Sequence, residues 1–175
     1  GRAGVALCAG ARAGPLLPGR RARPAGGRRT PQATAEKFGH PGSELARFEH
    51  WLVLLRPAQP TLGSLVLVCT DPARRFGEIS AEASAELQRA TDRIERALGD
   101  AFRHDKINYL MLMMVDPDVH FHVLPRYEKP REFAGASFED AAWPGPPDVT
   151  SRLPLDDAQH AELLRFLRER FEALA

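Results

Sequence analysis

Two strand-length apolar runs lie almost back to back in this chain, His50–Arg56 (HWLVLLR) and Ser64–Thr70 (SLVLVCT). Unbroken Val- and Leu-rich runs of that length favour strands. The segment between them, Pro57–Gly63 (PAQPTLG), carries two prolines and a glycine and is a turn or loop. From Ser80 to Leu98 the pattern changes to a helical one. Ala83, Leu87, Ala90, Ile94 and Leu98 mark one face, and Glu82, Glu86, Arg93, Glu95 and Arg96 mark a solvated one. Ser80 fits an N-cap and Gly99 a C-terminal stop. Ile107–Val115 (INYLMLMMV) is too apolar for a strand with one wet face and predicts a central strand covered on both sides. Its methionines, the three in the chain, fit adaptable core better than a cofactor contact.

Asp116-Pro117-Asp118 makes a tight turn into a further strand, Val119–Leu124 (VHFHVL), which Pro125 ends. Arg126–Pro154 is loop-like. A last helix starts near Asp156, where Asp156 and Gln159 occupy capping-box positions, and Leu163, Leu167, Phe171 and Leu174 form its stripe. The order β-β-α-β-β-α with hairpin-like connections predicts an α+β fold on a mainly antiparallel sheet.

Length and charge bound the rest. The 175 residues suit one domain plus spare chain. Residues 1–35 hold seven of the 24 basic groups and none of the 23 acidic ones, in an Ala/Gly/Arg/Pro-rich stretch without period. They are expected to be a disordered tail, with residues 36–150 the domain and 151–175 a C-terminal helix on it. The tail has three open readings: an incidental extension of the coding frame, a transit peptide, or an arm for anionic partners. The rest is net acidic, which argues against nucleic acid as a partner. No apolar run is long enough to cross a membrane. Two cysteines, Cys8 and Cys69, build neither a disulfide framework nor a four-thiolate metal site, so a reducing, cytoplasmic compartment is the expectation.

Side chains alternate along a strand, so His120 and His122 share a face while Phe121 and Val123 turn to the core. Three readings of the pair stand open. They could be surface residues of a wet sheet face. They could join Asp118 as metal ligands at i, i+2 and i+4. Or one neutral imidazole could act as a nucleophile towards phosphorus while the other hydrogen-bonds a phosphoryl oxygen or moves a proton. Trp143, in a Pro-rich loop, either packs on the domain or covers a nucleobase.

The run Val119-His120-Phe121-His122-Val123-Leu124-Pro125-Arg126 resembles the signature of the histidine triad (HIT) family. Pro57 with Gly63-Ser64-Leu65-Val66-Leu67-Val68 is similar to that family's Pro…Gly-His-x-Leu-Val segment. Asp140–Pro146 (DAAWPGP) resembles the Trp-Pro tail of a short bacterial subgroup. The likeness spans roughly residues 44–147. It implies a HIT-like fold with about five strands, a long helix and a C-terminal helix, commonly as a homodimer. It also implies a nucleotide hydrolase or transferase acting at the α-phosphate of dinucleoside polyphosphates, adenylates or phosphoramidates, without metal or organic cofactor. By position His120 becomes the nucleophile, forming a nucleotidyl-histidine, and His122 the last triad histidine. Asn108, Asp118, Arg126 and Trp143 become substrate contacts. Three departures stand out: Asp118 replaces the first triad histidine, Ser64 replaces the upstream histidine, and Asp116-Pro117 replaces a longer phosphate-donor loop. They motivate the alternative of a nucleotide-binding regulatory module with little catalysis.

Overall fold

The computed structural model describes residues 33–175. The expectation of a tail therefore falls mostly outside the described residues. Ala33–Ala35, assigned by composition to that tail, begin a short helix α1 (Ala33–Lys37) in which Thr34 and Ala35 are buried.

The two opening apolar runs become β2 (Trp51–Leu55) and β3 (Leu65–Cys69), paired antiparallel from Trp51–Cys69 to Leu55–Leu65. They are preceded by a strand that weak local pattern had hidden, β1 (Glu44–Arg47), and followed by α2 (Ala81–Phe102). Then come β4 (Lys106–Leu110), β5 (His120–Arg126), a small hairpin of β6 (Arg131–Phe133) and β7 (Ala136–Phe138), and α3 (Asp157–Ala173). The main sheet is five-stranded and antiparallel in the order β1-β2-β3-β5-β4. The fold is α+β, as the element order predicts.

Every residue of β2 and β3 is buried because both faces of the sheet are covered. Trp51, Val53, Leu55, Leu65, Leu67 and Cys69 meet α2 and α3. Leu52, Leu54, Val66 and Val68 meet Ala35 and Phe38. That second cover explains why these runs lack the polar alternation of a half-wet sheet.

The helix caps follow local chemistry. The Ser80 side chain accepts from Ala83 N, and Asp156 and Gln159 form the reciprocal capping box. Gly99 does not stop α2. The helix runs on to Phe102 and closes on Arg103, which takes a left-handed conformation (φ 49°) and donates to the Gly99 carbonyl. Glu86 is not on a solvated face either: it is buried, accepting the backbone N–H groups of Glu49 and His50 and so fixing the start of β2 on α2.

Three further expectations are corrected. Residues 107–115 do not form a central strand. β4 is an edge strand of intermediate burial, it ends at Leu110, and Met114 beyond it is 97% exposed. Sequence sets the apolarity of a run, but the neighbours it pairs with decide its place in the sheet. Pro125 does not end β5, which continues to Arg126 on β4, because β3 stops opposite Val123 and Pro125 forfeits no ladder bond. The loop after Arg126 contains the β6–β7 hairpin, turned by Ala134 and Gly135, both at positive φ.

Gly63, at the β2–β3 turn, has φ +81°, and a Cβ there would sit 2.9 Å from the Phe102 ring. Gly63→Ala is therefore expected to destabilise the fold by about 2–3 kcal/mol in urea unfolding. Gly99→Ala, inside α2 with its nearest neighbour at 3.7 Å, should stabilise it by up to about 1 kcal/mol.

Candidate functional site

β5 carries His120, His122, Leu124 and Arg126 on one face. Register places Val68 beside His120, Val66 and Leu110 beside His122, and Asn108 beside Leu124. Phe121 points to the other face, among Trp51, Phe76 and Tyr109. The alternation read from sequence therefore holds, and the two imidazoles meet edge to face with centroids 5.1 Å apart.

The β4–β5 ladder stops at the Leu110–His122 pair, which leaves the Asp118 carbonyl beyond the ladder. That carbonyl lies 2.7 Å from His120 Nδ1. A carbonyl only accepts, so Nδ1 carries a proton, and in the neutral ring Nε2 holds the lone pair. The Asp118 carboxylate is engaged elsewhere, accepting from the backbone N–H of Thr34 at 3.2 Å. Asp118 thus touches His120 through its main chain, and its negative group belongs to a contact with α1.

The histidine face is not an open cleft in this conformation. His120 is 0% exposed and His122 6%. The Phe38 ring lies against both, at centroid distances of 6.2 and 5.7 Å. His120 Nε2 and His122 Nδ1 are buried with no hydrogen-bond partner among the described residues. Burial, reinforced by the neighbouring His120 and the Arg56 charge, pushes the His122 pKa down to about 4, so this ring is neutral near pH 7.

The remaining candidates gather further along β5. Arg126 is buried and donates to Asp140 through Nε (2.5 Å) and Nη2 (3.2 Å), to Asn108 Oδ1 (3.0 Å) and to the Gly145 carbonyl (3.1 Å). Its charge is neutralised by Asp140, so it fastens the Trp-Pro loop and Asn108 to the sheet instead of presenting a cation to solvent. Trp143, half-buried, is held in that loop by its backbone bond to the Asp140 carbonyl. Ser64 is fully buried, its hydroxyl donating to the Thr61 carbonyl within the β2–β3 turn. Sequence reasoning missed Phe38 and Thr34 at the histidine site. No local signal marks a cover that comes from some 80 residues upstream.

Among the described residues no group of three or more His, Cys, Asp or Glu side chains is placed to hold a metal ion, so Asp118, His120 and His122 do not form a ligand set. No described helix is long and apolar enough to cross a membrane.

Residues 43–129 match the family model described as HIT domain. No curated protein matches the sequence. Among solved structures, the chain is similar to a histidine triad protein from Bradyrhizobium japonicum (22% identity, TM-score 0.62, 81% of this chain and 97% of that one). Another, from Sinorhizobium meliloti 1021, aligns at 21% identity and TM-score 0.63 over 82% and 97% of the two chains. A third, from Marinobacter aquaeolei VT8, aligns at 25% identity and TM-score 0.60 over 75% and 90%.

The depressed His122 pKa makes stability depend on pH. Above the unfolded value of about 6.5 the ring is neutral in both states and adds no slope. As pH falls below that, the unfolded chain takes the proton first, so stability drops until about pH 4, where the folded ring also charges. Urea titrations between pH 7 and pH 4 should show a loss from this ring of about 2 kcal/mol, once partial solvation is allowed for. The same titration of His122→Gln should be flatter by that amount.

Proposed function

Since the chain belongs to the histidine triad family, we propose that it binds nucleotides on the histidine face of the sheet and cleaves or transfers them at the α-phosphate. His120 is the nucleophile. Its Nε2 lone pair forms a bond to phosphorus, and the leaving group departs with the electrons of the broken phosphorus bond. Water then attacks the same phosphorus, the N–P electron pair returns to Nε2, and the water's proton passes to solvent. The observation that supports this reading is the His120 Nδ1–Asp118 carbonyl bond, because it selects the tautomer of the neutral ring whose lone pair lies on Nε2, without help from a carboxylate. His122, neutral and edge-on to His120, suits a hydrogen-bonding contact to a phosphoryl oxygen better than proton donation. Asn108 and Trp143, placed by Arg126, would line the far end of the same face.

The regulatory alternative draws support from one fact, the complete cover over His120. It expects AMP binding by calorimetry with no turnover of diadenosine polyphosphates, adenylates or phosphoramidates. The hydrolase reading expects turnover, a nucleotidyl adduct in the intact mass, and loss of both in His120→Ala by a factor on the order of 10³ or more. Full activity in that variant would remove the covalent role.

We also propose a homodimer. β4 exposes its outer edge, and Leu112 (43%), Met114 (97%) and Val115 (80%) continue it as an unburied apolar run. Sedimentation should give twice the chain mass, and the pair Leu112→Asp/Met114→Asp should give the monomer. A monomeric wild type would refute this assembly.

A further inference from the structure

The histidine pair is reactive in form and shut off in fact, and the cover has the construction of a movable part. α1 is only five residues long. Beside the apolar packing of Ala35 and Phe38 on the sheet, three contacts hold it over the site: the Phe38 ring on both imidazoles, the Thr34 N–H on the Asp118 carboxylate, and Lys37 Nζ on Asp116 Oδ1 at 2.6 Å. Two of the three latch on the carboxylates of the Asp-Pro-Asp segment that follows the turn at 113–115 and lies just before β5. Lys37 is half-exposed, so its ion pair is a weak fastening. The chain turns immediately after Phe38 at Gly39, whose φ of +86° only glycine adopts easily.

Closure also leaves polar atoms unsatisfied. Thr34 Oγ1, His120 Nε2 and His122 Nδ1 are all buried without a hydrogen-bond partner among the described residues. Lifting α1 would hydrate all three, while exposing the apolar contact of Ala35 and Phe38 with Leu52, Leu54, Val66 and Val68. These opposing costs, met at one short helix over the reactive pair, suit a closed state that opens.

We infer that α1 with Phe38 is a gate over the histidine pair, hinged after Phe38 and latched by Asp116 and Asp118. Asp118 is then a latch residue, which gives this departure from the histidine pattern a physical role. The gate deepens the proposed function, because it controls access to the nucleophile of that reading, yet it is testable without any nucleotide.

Diethyl pyrocarbonate acylates neutral imidazole nitrogen, and peptide mapping by mass spectrometry reads each histidine separately. In the full chain His120, which is 0% exposed, should label far more slowly than His160 of α3, which is partly exposed although its own Nε2 is buried. Lys37→Glu should speed His120 labelling about two- to fivefold, the scale of one half-exposed ion pair. Lys37→Glu/Asp116→Lys should restore the wild-type rate, while His160 labels equally in all three proteins. Phe38→Ala, which removes the ring itself, should speed it further. If wild-type His120 labels as fast as His160, or neither Lys37→Glu nor Phe38→Ala changes its rate, the gate is wrong. Those outcomes leave the covalent role of His120 standing, and an inactive nucleophile would equally leave the gate standing.

Discussion

One hydrogen bond decides what the imidazole pair can do. The Asp118 carbonyl, left beyond the ladder where β4 stops pairing with β5, takes the proton-bearing side of His120. Had β4 continued four residues further, to Met114 opposite Asp118, that carbonyl would face a strand partner and the ring would lose its orienting contact. Sheet register, ring tautomer and the availability of Nε2 are therefore linked. The same register aligns His120 with Val68 and His122 with Val66, which fixes the rings on the face that α1 covers.

A second anchor acts at the other end of β5. Arg126 and Asp140 are both nearly solvent-free, at 4% and 6% exposure. A buried charge of either sign alone would be costly, and together they also engage Asn108 and the Gly145 carbonyl. The arginine ties a proline-rich loop to the sheet with donors that would otherwise seek an anion. Its role is to place neighbours.

Much of this was legible in the chain because it depends on local chemistry. The apolar runs of β2 and β3, the stripe of α2, and the caps at Ser80 and Asp156 are written within a few residues of where they act. The shared face of His120 and His122 follows from alternation alone. The illegible parts depend on distant partners. Whether 107–110 lies at the centre or the edge depends on what pairs with it. Glu86 reads as solvated until Glu49 and His50 bring their N–H groups to it. Arg126 reads as an anion contact until Asp140 neutralises it. Asp118 reads as a carboxylate beside a histidine, whereas its carbonyl makes that contact and its carboxylate serves Thr34. Side-chain reasoning on a sequence has no view of main-chain acceptors.

The ends of the described chain lie on opposite sides of the sheet. α1 packs on the Leu52–Val68 face, and α3, through Leu163, Leu167 and Phe171, packs on the other. A fusion or affinity tag attached upstream thus pulls on the segment lying against the imidazoles. One attached after Ala175 is separated from them by the full thickness of the domain, which makes the carboxyl end the better handle for immobilising this protein.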